Sequence, residues 1–344
     1  MSGGAHIGYQ PRGKGHDLDL EADYVVIGSG AGGAAIARDL TLGGASVVLI
    51  EAGAWRAPAD YPSSMYGTMR DMMDDWNTSI TYGKALWPIV QASTVGGTTV
   101  INSAIVVRTP ADVFESWQAQ HGVGGDGMAE AVWAFQDEIE GELSVQHVPP
   151  EALGRSNQLI IKAAKALDFH DHDMRRNVKA CIGAGQCIQG CRADRKRSLN
   201  VTYIPQAIEQ GMKLLSCAPV HKVVFEGKRA LGARGHFKHP LTRKKGASFF
   251  VRGRKATIVA ASATHSPTLL MRSGVKNKAL GSAFRAHPGT GIFGVYPDRV
   301  DMNVGATQGW ASTKFRSDGG FKLESLSIPL ELVASRLSGG GQAL

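Results

Sequence analysis

The sequence predicts an α/β protein organised around a parallel βαβ unit, and three observations predict it. Residues 24–27 (Tyr-Val-Val-Ile) and 47–50 (Val-Val-Leu-Ile) are short apolar runs of strand type. Between them lie a glycine turn, Gly28 to Gly33, and an amphipathic segment, Ala34 to Leu42. An acid, Glu51, closes the second run.

Each part has a physical reason. Gly28, Gly30 and Gly33 form the G-x-G-x-x-G pattern, with Gly32 inside the same turn. Gly28 lets the strand turn sharply, Gly30 removes a side chain that would block a pyrophosphate, and Gly33 lets the helix pack close to the strand. The helix N-terminus then offers N–H groups and a positive dipole end to phosphates. Glu51 stands where a carboxylate accepts hydrogen bonds from a ribose diol, and it would repel a 2′-phosphate, which disfavours NADP. The motif alone does not separate FAD from NAD.

At 344 residues the chain can bury a large core, as one elaborate domain or two interleaved ones. Lysine and arginine outnumber acids by 38 to 30, giving +8. No nucleic-acid motif accompanies that charge, so it reads as a solvated basic surface rather than a nucleic-acid site. Residues 1–20 contain no apolar core of signal-peptide length, and no run is long enough to span a bilayer, so a cytoplasmic protein without a stable membrane anchor is expected.

Further along, Met65, Met69, Met72 and Met73 read as core or lid packing. The segment Ala92 to Pro110 holds a Gly96-Gly97-Thr98-Thr99 turn, whose amides can approach a flat or anionic ligand, with Asn102 just behind it. Asp112–Gln120 and Met128–Leu143 have helical spacing, and Ser156 reads as the cap of a further helix to Leu167. His170 and His172 read as solvated loop histidines rather than metal ligands. The stretch from Lys213 to Ala261 is β-rich, in five runs, with a hairpin tip at His239 to Lys245.

The glycine turn, the Glu51-Ala52-Gly53 step, the G-G-T-T-x-x-N run from Gly96 to Asn102, and Ser262 to Val275 with its Ser266-Pro267 and Ser273-Gly274 pairs together resemble the glucose-methanol-choline (GMC) flavoprotein oxidoreductases. Ser93, Val106, Ser262 and Lys276 depart from the usual signatures. The resemblance implies FAD as cofactor and an α/β fold, with a Rossmann-like FAD-binding domain and an interleaved, incomplete α+β substrate domain. It divides the chain into a lead-in at 1–22, FAD-binding parts at 23–110 and 199–286, a helical insertion or lid at 111–198 with a cysteine-rich loop, and the start of a substrate-binding domain at 287–344. It implies that Gly28, Gly30, Gly32, Gly33 and Glu51 hold the ADP half, that Gly96, Gly97, Thr98 and Asn102 approach the flavin, and that the strand near Val220 places backbone groups on the adenine.

Cys181, Cys187 and Cys191 have C-x5-C-x3-C spacing. Their loop is similar to one in the long-chain alcohol oxidase and cholesterol oxidase-like branch. The same spacing resembles a dehydrogenase subunit whose thiols hold an iron-sulfur cluster. Either they bind such a cluster or they are reduced thiols packed against glycine turns. The basic neighbours Arg192, Arg195, Lys196 and Arg197 read as a solvated loop.

The continuation after Ala286-His287-Pro288-Gly289 resembles the alcohol oxidase branch too, which implies an apolar or long-chain alcohol oxidised by hydride transfer to flavin N5. His287 is not expected to be the base, and the family's C-terminal histidine has no counterpart here. The expectation is therefore an incomplete alcohol oxidoreductase, with three alternatives open: a fragment or truncated reading frame, a site completed by a partner subunit, or a flavin-binding protein or electron-transfer subunit that does not itself oxidise alcohols and passes electrons to an acceptor protein. An NAD-dependent dehydrogenase is a third class.

Overall fold

A computed structural model describes residues 3–15, 17–82, 86–169 and 174–334. His170 and His172 lie outside the described residues. The chain divides into two units: Met1–Ile101 with Leu199–Val295, and Asn102–Ser198 with Tyr296–Leu344.

Unit one begins with β1 (Ala5–Ile7), β2 (Leu18–Ile27), α1 (Ala31–Leu42), β3 (Val47–Ile50) and α2 (Met65–Met72). Unit two follows with β4 (Ile105–Val106), α3 (Ala111–His121), α4 (Met128–Glu142), β5 (Val145–His147), α5 (Gly154–Ala166) and β6 (Arg175–Asn177). The chain returns to unit one for α6 (Tyr203–Glu209), β7 (Lys213–Leu215), β8 (Val220–Glu226), β9 (Arg229–Lys238), β10 (Lys245–Val259) and α7 (Ser262–Arg272). Its last described stretch adds β11 (Ala311–Ser312) and β12 (Leu323–Glu324) to unit two.

Unit one is built on a 7-stranded sheet in the order β1-β7-β3-β2-β10-β9-β8. Its first five strands pair in parallel, and the last three form an antiparallel extension. Central β3 is buried along its whole length. That explains its unbroken Val-Val-Leu-Ile run, since a parallel strand covered on both faces has no polar side to present. Each such side chain stabilises the fold by about 1.5–3 kcal/mol when fully buried. Tyr24 pairs with Val47 and Ile27 with Ile50, so the two runs end level and deliver the glycine turn and Glu51 to the same sheet edge.

Several local expectations change. The polar lead-in contains β1, which pairs with β7, and the first part of β2. Two of the expected strands near 248–262 form one strand, β10, with a register shift between Gly253 and Ala256 against β2; the Arg-Gly-Arg-Lys interruption is absorbed by that irregularity. Helix α5 starts at Gly154 with no side-chain cap, so Ser156 lies inside its first turn. The hairpin tip falls between Lys238 and Lys245, where His239 Nδ1 accepts hydrogen bonds from the amides of Leu241 and Thr242. Met65, Met72 and Met73 are core residues. No described helix is long and apolar enough to cross a membrane.

In unit two a 3-stranded antiparallel sheet, β4-β6-β5, sits with the helices α3 to α5. Successive residues of a strand point to opposite faces. Arg175 accordingly pairs with Glu140 of α4, while Arg176 is fully buried and reaches Ser103 and Cys187.

Candidate cofactor-binding site

The site in unit one grows from the end of β2. Gly28 has φ +99°, and a Cβ there would stand 2.3 Å from the Ala260 carbonyl oxygen. At Gly33 a Cβ would lie 1.8 Å from the Gly28 carbonyl oxygen, so α1 closes directly onto the turn. Gly97, at φ +56°, would place a Cβ 2.6 Å from the Cα of Gly30. These three glycines are required by protein packing alone. Gly30 and Gly32 differ, because a Cβ at either meets nothing within 4 Å.

The open side is polar and positive in character. Gly30 caps α1 with no side-chain hydrogen bond, and the first turn holds no acid. Its N–H groups and dipole therefore face an approachable surface suited to an anion.

Glu51 is buried behind this turn. Its Oε2 accepts from the Ser29 amide at 3.0 Å and the Ser29 hydroxyl at 2.6 Å, and its Oε1 accepts from the Gly53 amide at 2.8 Å. Burial pushes the carboxyl above its ordinary value, and those hydrogen bonds oppose the rise. The Ala52 amide bonds the carboxylate as well, so it sits among donors of both glycine-turn flanks.

Ser29, which sequence reasoning passed over, links the two glycine turns. Its Oγ donates to Glu51 and accepts from the Gly96 amide at 3.0 Å. The second turn is braced further by Thr99, whose hydroxyl donates to the Gly96 carbonyl at 2.6 Å and accepts from the Leu199 amide. The structure thus brings Gly28, Gly30, Gly32, Gly33, Glu51, Gly96 and Gly97 into one region of unit one.

The remaining expected residues stand differently. Thr98 is exposed, and its hydroxyl accepts from the Ala92 amide. Val220 opens β8; two residues before it, the Ala218 amide donates to the Glu51 carbonyl, and the Cys217 amide donates to the Gly53 carbonyl. Asn102 belongs to unit two, where its side-chain oxygen accepts from the Ala104 amide and its carbonyl from Lys196 Nζ. His287 is exposed.

A cavity of about 840 Å³ also lies in unit one, lined among others by Asp74, Gln91, Thr264 and His265, and it shares no residue with the glycine turns. His265 Nε2 is 2.8 Å from Asp74 Oδ2, and this hydrogen bond raises the imidazole above its ordinary value against a partial burial that lowers it.

The cysteine loop does not support an iron-sulfur cluster. Cys187 and Cys191 are buried and Cys181 is only partly so. Among the described residues no group of three or more His, Cys, Asp or Glu is placed to hold a metal ion. Arg176 donates to the Cys187 sulfur at 2.8 Å, so that sulfur already has a cationic partner.

The parallel sheet, the glycine turn at its strand ends and the buried acid define a dinucleotide-binding protein of the Rossmann type. The sequence profile described as GMC oxidoreductase matches residues 22–289, and the chain belongs to that family. An uncharacterized GMC-type oxidoreductase of Mycobacterium tuberculosis is 32% identical over 313 residues, covering 90% of this chain and 48% of the relative. The Arabidopsis thaliana long-chain-alcohol oxidase FAO1 is 28% identical over 300 residues, covering 83% of this chain and 38% of that protein. The chain thus spans about half the length of the first of these relatives or less. In fold it is similar to a formate oxidase of Aspergillus oryzae, with TM-score 0.54 at 14% identity over 74% of this chain and 48% of that one.

Proposed function

We propose that this chain provides the FAD-binding part of a GMC-type oxidoreductase acting on the CH–OH group of an apolar alcohol. The observation that carries the proposal is the contrast within one turn. Gly28, Gly33 and Gly97 are held by protein atoms, whereas Gly30 faces open space at the uncapped start of α1. A glycine that packing does not require fits a ligand that approaches the backbone closely.

The residues present fit FAD. Gly30 and the N-terminal turn of α1 would hold the pyrophosphate, Glu51 the ribose diol, and Gly96 and Gly97 would present backbone to the flavin side. FAD supplies a two-electron acceptor when bound. The chain's own contribution is to orient it: Ser29 fixes the Glu51 carboxylate and the Gly96 amide at the same time. We assign no catalytic base. The similarity to long-chain-alcohol oxidases supports the apolar substrate class.

Two measurements test this. Gly30→Ala should leave the thermal unfolding of the protein unchanged while weakening flavin retention on purification. Loss of fold in that variant would mean packing requires Gly30 after all. Glu51→Ala should weaken FAD binding by about 10- to 100-fold, the worth of hydrogen bonds to a charged group, read by fluorescence titration of the apoprotein. An unchanged dissociation constant would place the ribose elsewhere. The visible spectrum taken anaerobically with a long-chain primary alcohol then addresses the substrate class: bleaching supports it, and retained flavin colour in the complete enzyme removes it.

A further inference from the structure

A buried polar group lies in unit two, away from the glycine turns in sequence. Arg176 and Lys196 are 0% and 2% exposed, burial more typical of aliphatic side chains. Arg176 donates through Nε and Nη2 to the Ser103 carbonyl and through Nη2 to Cys187 Sγ at 2.8 Å. Lys196 Nζ donates to the Cys187 carbonyl at 2.7 Å and the Asn102 carbonyl at 2.9 Å. Burial pushes the Cys187 thiol up, but the Arg176 and Lys196 cations and the neighbouring Thr307 hydroxyl outweigh it and bring it below the ordinary thiol value. Cys191, one turn on, is pushed the other way by burial and by the neighbouring Cys187 charge.

A second, independent observation concerns a hydrogen bond that is not made. Arg176 Nη1 is buried without a partner, on the same guanidinium that holds the sulfur. Thr307 is 0% exposed, and its hydroxyl lies against the Cys187 sulfur and helps to lower the thiol. Buried donors are almost always paired, so an unmatched donor on the guanidinium that holds this sulfur points to an acceptor atom that belongs there. A single oxygen on Sγ would be such an atom.

We propose that Cys187 is a modification site at which a hydroperoxide oxidises the thiolate to a sulfenic acid, whose oxygen is received by Arg176 and Thr307. The step balances as follows. The thiolate sulfur attacks one peroxide oxygen, the S–O bond forms and the O–O bond breaks. Sulfur loses two electrons, the peroxide gains them, and the departing hydroxide or alkoxide takes a proton from the Lys196 ammonium to leave as water or alcohol. Burial brings that ammonium down to about 8, which suits it to give up a proton near neutrality. A thiolate, not a thiol, is the nucleophile in such chemistry.

The test uses the full chain with limiting hydrogen peroxide at neutral pH, followed by peptide mass mapping. One oxygen should appear on the Cys187 peptide before it appears on the Cys181 peptide, although Cys181 is the more exposed, because the thiolate is the reacting form. Dithiothreitol should remove it, which distinguishes it from methionine sulfoxide. A disulfide between Cys187 and Cys191 would also support the proposal, since it forms from the sulfenic acid. Thr307→Val, nearly isosteric, should slow the oxidation with no change in thermal midpoint, and Cys187→Ser should abolish it. Oxidation that begins at Cys181, or a Cys187 that stays reduced in the native protein and reacts only in urea, would overturn the proposal and leave Arg176 Nη1 to bound water.

Discussion

Replacing Gly33 with alanine should cost unit one about 3 kcal/mol or more, whereas Gly32→Ala, one residue away, should stabilise it by about 0.5–1 kcal/mol. The residues share a helix and differ only in what a methyl group would meet. At Gly33 it would sit 1.8 Å from the Gly28 carbonyl oxygen and 3.2 Å from Ala260 Cβ, in backbone that cannot retreat without lifting α1 off the sheet. At Gly32 it would meet nothing within 4 Å, and alanine loses less conformational entropy than glycine on entering a helix. Urea unfolding of both variants, followed by far-ultraviolet circular dichroism, measures the difference. Equal destabilisation would show that the close packing of turn and helix is not what fixes Gly33.

Arg176→Met is expected to be the other severe substitution, at about 3–5 kcal/mol, because removing one partner of a buried charged pair strands the other. The Ser103 carbonyl and the Cys187 sulfur would both lose their donor. The loss should depend on pH with a definite sign. Cys187 lies below the ordinary thiol value in the folded chain, so the unfolded chain binds a proton there that the folded chain has released. Its contribution is therefore fully present above the unfolded value and lost as pH falls through the folded one. The gap in stability between the native protein and Arg176→Met should widen as pH rises from neutrality towards 9.0. Cys187→Ala should relieve part of the penalty, so the double variant should be less destabilised than the sum of the singles. A gap independent of pH, or strict additivity, would show that the sulfur carries no charge.

The βαβ unit was legible because its signals are local. Strand period, glycine turn and closing acid all fall within thirty residues, and the β2–β3 pairing that joins them is set by their equal lengths of apolar chain. The hairpin between β9 and β10 was legible for the same reason. Ser29 was not, because its role depends on Gly96, 67 positions away, and a serine between two glycines carries no signal of that distance. The only hint was its place directly beside the end of the strand that meets Glu51. Lys196 was misread more thoroughly. Within Arg-Lys-Arg it looks like one more solvated cation, yet Arg195 is exposed and Arg197 half-buried while Lys196 enters the interior to bond two carbonyls. Arg176 hides likewise in a 3-residue strand between Arg175 and Asn177, where the alternation is too short to read as a buried face. Charge buried by distant carbonyls leaves no periodic trace.

Strand order has a consequence for how the chain is made. β2 carries the glycine turn, but one of its two sheet neighbours is β10, with Val25 aligned to Thr257. The other neighbour, β3, itself relies on β7, with Leu49 aligned to Leu214. During synthesis the first βαβ unit therefore leaves the ribosome with two bare hydrogen-bonding edges, and unit two's intervening segment emerges before either edge can be covered. Contacts this remote close slowly, and an apolar parallel strand with an open edge invites pairing with other chains. Nascent chains stopped between Ser198 and Lys213 should be the form most dependent on chaperones, with that dependence falling once β7 and β10 have emerged.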